Sequence, residues 1–196
     1  MLFQKINDLL KNNPHSKIAL VIRHGEKSEA AMGLLSENGK ASIKEFSLKL
    51  KDLGYQVNII SSPELRCVQT ANIINETLSH NENDIILSNK LGYPGLHIVN
   101  NNIYQDLYKT KKAREIFYEW KEGLHLDCLR DPKELKKLSM DFFTSLSKEN
   151  CITLFISQSG TVSGIGYSLG LLDYDKDNKE WIGYLEGFFV DITNKK

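Results

Sequence analysis

The sequence predicts a three-layer α/β/α sandwich on a mostly parallel central sheet. Short, unbroken apolar runs at KIALVI (17–22), VNIISS (57–62) and CITLFIS (151–157) have the length and composition of strands buried on both faces. Segments with helical spacing separate them. Strands that alternate with helices fold through right-handed crossovers, which place helices on both sides of a parallel sheet. At 196 residues the chain is expected to form one domain, 1–196, with a sizeable core.

Each element has its own justification. The opening MLFQKINDLLKNNPHSK reads as a short amphipathic helix leading into the first strand, without the continuous apolar segment of a signal peptide. In LSENGKASIKEFSLKLKDLG, Ile43, Phe46, Leu50 and Leu53 share a helical face, Ser36 can cap the start and Gly54 can end it. After the second strand, Pro63 fits the first turn of a helix running through ELRCVQTANIINETL. Residues 91–109, rich in Asn and Tyr, read as a loop. Two helical patterns follow, one through Ala113, Ile116, Phe117 and Trp120, the other through Leu135, Leu138, Phe142 and Leu146. The third strand leads into a Gly-containing helix extending to Leu172, and GYLEGFFVDI (183–192) reads as a final strand.

Composition narrows the function classes. Hydrophobic content of 41% and charged content of 26% are ordinary for a globular protein. The formal net charge is zero, so no basic excess is available to displace counterions from nucleic acid. No apolar run is long enough to span a bilayer. Cys67, Cys128 and Cys151 are odd in number and widely spaced, which suits a reducing cytoplasm better than a disulfide framework. None is followed six positions later by arginine, as a cysteine-based phosphatase requires. GTVSGIG (160–166) lacks both the P-loop ending and the Rossmann spacing, so its small residues read as helix-packing positions. His15, His80, His97 and His125 are scattered, and none makes a zinc spacing with a cysteine; no metal or cofactor is expected. His97 reads as a surface-loop histidine, with contact to substrate at the cavity mouth as the other reading.

The strand ends carry the chemistry. Carboxyl ends of parallel strands line the binding crevice of an open α/β sheet. Here they present Arg23-His24, Ser61-Ser62 and Ser157-Gln158-Ser159, with Arg66 in the first turn of the helix after Pro63. Two arginines, a histidine and a helix N-terminus at one spot suit a dianion such as phosphate.

RHGEK (23–27), GLLSENGKASIKEF (33–46), SSPELRCVQTA (61–71), TLFISQSGTV (153–162) and YLEGFFV (184–190) together resemble the histidine phosphatase superfamily, also called phosphoglycerate-mutase-like. The resemblance implies that fold, with His24 as the nucleophile that forms a phosphohistidine and Arg23 and Arg66 as the phosphoryl-binding cations. The pocket it implies holds Arg23, His24, Arg66, Gln158 and Ser159, and the expected partner is a phosphorylated small molecule or phosphoprotein. Neither nucleic acid nor membrane is expected as a partner, and oligomeric state is not legible.

The pattern departs from the family at Gln158, which stands where the family's second pocket histidine is expected. The family's proton donor is not evident either. Glu26 is the carboxylate nearest His24 in sequence, and reads equally as a catalytic group or a solvated rim charge. The expected activity is therefore phosphomonoester hydrolysis through phospho-His24, weakened by Gln158. The alternatives are a member that binds a phosphorylated ligand without turning it over, or an active phosphatase carrying Gln158 as an engineered change.

Overall fold

The computed structural model describes residues 2–29, 33–79, 85–178 and 180–193. Helix α1 (Leu2–Asn12) precedes β1 (Lys17–Arg23), α2 (Glu37–Lys51), β2 (Gln56–Ser61), α3 (Leu65–Leu78) and β3 (Ile85–Leu87). A 3-10 turn (Asn89–Leu91) then leads to α4 (Asn101–Tyr108), α5 (Ala113–Lys121), α6 (Pro132–Leu146), β4 (Cys151–Ser157), α7 (Ser159–Ser168) and β5 (Gly187–Asp191). The sheet order is β3-β2-β4-β1-β5, parallel except for β5, which runs antiparallel to β1. This is the expected mostly parallel α/β sandwich.

Period-two alternation divides the core between two faces. Ile18, Leu20 and Ile22 of β1 and Ile152, Leu154 and Ile156 of β4 pack with α1, α2 and α3. Ala19, Val21, Ile60 and Phe155 point the other way, into a cluster with Tyr104, Phe117, Trp120, Phe143 and Ile165 from α4 to α7. In the register of the sheet, Arg23 lies opposite Ser157 and Ser61 opposite Ile156, so β1, β2 and β4 end level with one another.

Several expectations are corrected. Residues 91–109 are not wholly loop, because α4 occupies Asn101–Tyr108, capped by the Asn100 side chain, which accepts from the Ile103 amide at 3.3 Å. Strand β3 is short and partly exposed, so it lacks the continuous apolar run that marks buried strands. Pro63 lies before α3 rather than in its first turn, since Glu64 is the N-cap residue. Helix α7 stops at Ser168 rather than Leu172, with Gly170 at φ +71° turning the chain away. The last strand is confined to Gly187–Asp191.

Candidate active site

The level ends of β1 and β4 and the start of α3 place the site. The His24 amide donates to the Ser157 carbonyl at 3.0 Å, extending the β1–β4 ladder one residue beyond β1. His24 is 2% exposed. Its Nδ1 lies 2.6 Å from the Gly25 carbonyl oxygen, which can only accept, so Nδ1 carries the proton and Nε2 keeps its lone pair. Burial pushes the imidazole down to about 4. The Gly25 bond opposes that shift, the charges of Arg66 and Arg23 reinforce it, and Gln158 weakly opposes it. His24 is therefore a neutral imidazole near neutral pH.

Arg23 is held rigidly. Its Nη1 donates to the Ile182 carbonyl at 2.6 Å, and its guanidinium lies 4.0 Å over the Tyr184 ring. Burial lowers its pKa, with Tyr184 opposing and Arg66 adding to the shift. Arg66, in the first turn of α3, donates from Nη2 to Gln158 Oε1 at 3.2 Å. An arginine N–H can only donate, so the Gln158 oxygen must face Arg66. The Gln158 amide nitrogen then lies 3.8 Å from Cys67 Sγ, at the limit for a weak bond to sulfur.

The structure brings Arg23, His24, Arg66, Gln158 and Ser159 to the wall of one cavity of about 320 Å³. Lys27, Glu64, Tyr93, Tyr104, Gln105 and Tyr108 complete its lining. The sequence names none of these six individually, although Tyr93, Tyr104, Gln105 and Tyr108 fall in the 91–130 region that is expected to wall the pocket. Glu64 stands inside SSPELRC, the very motif that carried Arg66. Tyr104 and Tyr108 are one helical turn apart on α4, a spacing hidden once that stretch is taken as loop. Tyr93, Tyr104 and Tyr108 form a ladder, with ring centroids 6.1 and 5.9 Å apart and planes 25° and 27° from parallel.

Glu26 does not line the cavity. Its carboxylate accepts from Ser36 Oγ at 2.7 Å, while Ser36 Oγ accepts from the Gly39 amide at 2.9 Å. The Ser36 amide also donates to the Glu26 carbonyl at 2.9 Å. A Cβ at position 39 would sit 2.4 Å from that carbonyl oxygen, so glycine allows α2 to clamp the loop that follows His24. Glu26 thus fastens this loop to α2.

His97 is corrected as well. It is 6% exposed and packs on Trp120 with centroids 4.7 Å apart. A Cβ at Gly164 would lie 2.6 Å from its ring, which explains part of the small-residue run in α7 as a packing requirement. Ser61 and Ser62 are fully buried: Ser61 Oγ donates to the Ser62 carbonyl at 2.9 Å, and Ser62 Oγ accepts from the Glu64 amide at 3.3 Å. Cys67 is buried on α3 as expected of a small helix residue. Among the described residues, no group of three or more His, Cys, Asp and Glu side chains gathers as a metal site. His80 lies outside the described residues. Among the described residues no helix is long and apolar enough to cross a membrane.

No curated protein matches the sequence significantly. The chain is similar in structure to a mutant phosphoserine phosphatase from Entamoeba histolytica solved with phosphoserine (TM-score 0.56, 16% identity, 86% of this chain and 87% of that one). It is also similar to a mycobacterial hydrolase (TM-score 0.53, 15% identity, 87% and 89%). A third match is the product of an open reading frame from Mycobacterium tuberculosis (TM-score 0.52, 14% identity, 86% and 88%). Residues 19–91, which carry Arg23, His24 and Arg66, match the model of the histidine phosphatase superfamily (branch 1), and the fold of the chain is that of histidine phosphatase and phosphoglycerate-mutase-like structures.

Proposed function

We propose that this protein is a phosphomonoester hydrolase that works through a phosphohistidine on His24. The observation that carries the reading is a buried, neutral His24 sharing one cavity with Arg23 and Arg66. A neutral imidazole nitrogen can attack phosphorus, and fixed guanidinium groups stabilise the charge on the equatorial oxygens. The Nε atoms of Arg23 and Arg66 are buried and have no protein hydrogen-bond partner among the described residues, so donors remain for an anion. Ser159 opens α7 at the cavity, and its position suits phosphoryl oxygens near a positive helix end. In this role Gln158 orients Arg66 and contributes no positive charge. The cations are supplied by protein side chains, so the reaction as proposed involves no metal. Three buried, free cysteines suit the reducing interior of a cell.

A phosphate-release screen over many phosphomonoesters, run beside His24→Ala, tests the reading. Turnover of at least one ester by the native protein, lost in His24→Ala, is the expected result. Phosphate binding without His24-dependent release from any ester would instead support a phospholigand-binding protein. Gln158, in a place where a second histidine is expected, is the feature that favours this second reading.

A further inference from the structure

We infer that Glu64 is the carboxyl group that moves protons in this cavity, giving one to the leaving group and taking one from the attacking water. The inference rests on the phosphatase reading above. Glu64 is the only acidic residue among the described residues that line the cavity. Its backbone is fixed at the mouth of α3: the amide donates to Ser62 Oγ, and the carbonyl accepts from the Cys67 and Val68 amides at 2.8 and 3.0 Å. Its side chain makes no capping bond.

The cavity also holds Arg23, Lys27 and Arg66, yet among the described residues Glu64 is in no ion pair with them. A carboxylate present to neutralise those cations would be paired. Glu64 is half-buried and shares the cavity wall with Tyr93.

The other groups at hand do not fit the task. Glu26 is bonded to Ser36 and lies off the cavity. Gln158 and Ser159 cannot take a proton near neutral pH. Burial pushes the Tyr104 phenol up to about 12, and the Tyr93 phenol well above its usual range.

The chemistry balances as follows. His24 Nε2 attacks phosphorus, the P–O bond to the leaving group breaks, and the protonated Glu64 carboxyl gives its proton to the departing oxygen. The resulting carboxylate takes a proton from water as the water oxygen attacks phosphorus. The N–P bond breaks, inorganic phosphate leaves, and the Glu64 carboxyl regains the proton it gave.

An acidic residue at a helix start also favours the helix dipole without any catalytic part, so the test must separate the two roles. Glu64→Gln is compared with the native protein on phenyl phosphate, a poor leaving group, and on 2,4-dinitrophenyl phosphate, a good one. The expected result is a loss of about 10²-fold or more in kcat/KM on phenyl phosphate. With the dinitrophenyl ester, the first burst of phenolate release is nearly preserved and phosphohistidine accumulates on His24. Inhibition by inorganic phosphate at least as tight as in the native protein shows that the variant is folded. Glu64→Asp, which keeps a carboxyl with shorter reach, is expected to lose activity on phenyl phosphate more than on the dinitrophenyl ester; this arm decides the matter if Glu64→Gln does not fold. Unchanged kcat/KM on phenyl phosphate, or equal losses of kcat/KM on both esters, overturns the role of Glu64 and leaves the phosphatase reading standing. Absence of His24-dependent turnover in the native protein overturns both.

Discussion

At position 158 a neutral amide accepts a hydrogen bond from Arg66 and stands beside His24. A histidine there can accept from Arg66 through one ring nitrogen while the other donates to a phosphoryl oxygen, or, when protonated, give up the Arg66 bond and carry positive charge. Loss of one transition-state donor costs on the order of 10²–10³ in rate, and glutamine replaces part of that function. Gln158→His is therefore expected to raise kcat/KM on an aryl phosphate by about 10-fold. An unchanged or lower value would mean that holding Arg66 is what position 158 is built for. The protonation of His24 gives a second expectation. With its imidazole held near 4, the reactive neutral form prevails above that pH and is lost below it. The acid limb of kcat/KM for the free protein should accordingly bend near pH 4, and a limb bending near the ordinary histidine value would show that His24 is not the group that must be neutral.

Among the elements, α2 and α4 position the cavity in opposite ways. Helix α2 acts through its first turn, where Ser36 caps the helix and binds both the carbonyl and the carboxylate of Glu26. Ser36→Ala removes the cap and the Glu26 bond together. It is expected to lower stability by about 1 kcal/mol, measured as a fall in the urea midpoint at constant m-value. A change below a few tenths of a kcal/mol would show that Ser36 neither caps α2 nor anchors the loop in solution. These roles were partly legible: the Ser36 cap and the apolar face of Ile43, Phe46 and Leu50 can be read from spacing alone. The link to Glu26 cannot, because it depends on where a neighbouring loop returns in space. Helix α4 was hidden because its first turn is rich in asparagine and Tyr104 is its only buried residue, so its helical period is faint. Which tyrosines of the 91–130 region wall the cavity was hidden with it. Arg23, His24 and Arg66 were legible because strand ends and helix starts have fixed places in a parallel α/β sheet. Glu64 was not, since nothing in its spacing separates a carboxylate that faces the cavity from one that faces solvent.

For the whole molecule, two buried histidines couple folding to pH. Burial pushes both His24 and His97 down to about 4; at His97 a Gly160 backbone bond opposes the shift and Arg130 adds to it. Between about 4 and the unfolded value near 6.5 the unfolded chain binds more protons, so stability is full near neutrality and falls as pH drops through that window. Each histidine contributes a loss of about 2 kcal/mol by pH 5. Urea denaturation at pH 7 and pH 5 should show this loss, with a smaller difference in His97→Asn even if that variant is less stable at both values. Equal pH dependence in the two proteins would place the acid sensitivity elsewhere. Covalent chemistry at His24 is the step on which the proposed activity depends most. The direct measurement mixes the protein with an activated phosphoryl donor, quenches rapidly at alkaline pH where phosphohistidine survives, and analyses the peptides by mass. One phosphoryl group on the peptide carrying His24, absent from His24→Ala, is the predicted result; phosphate release that continues undiminished in His24→Ala would contradict it.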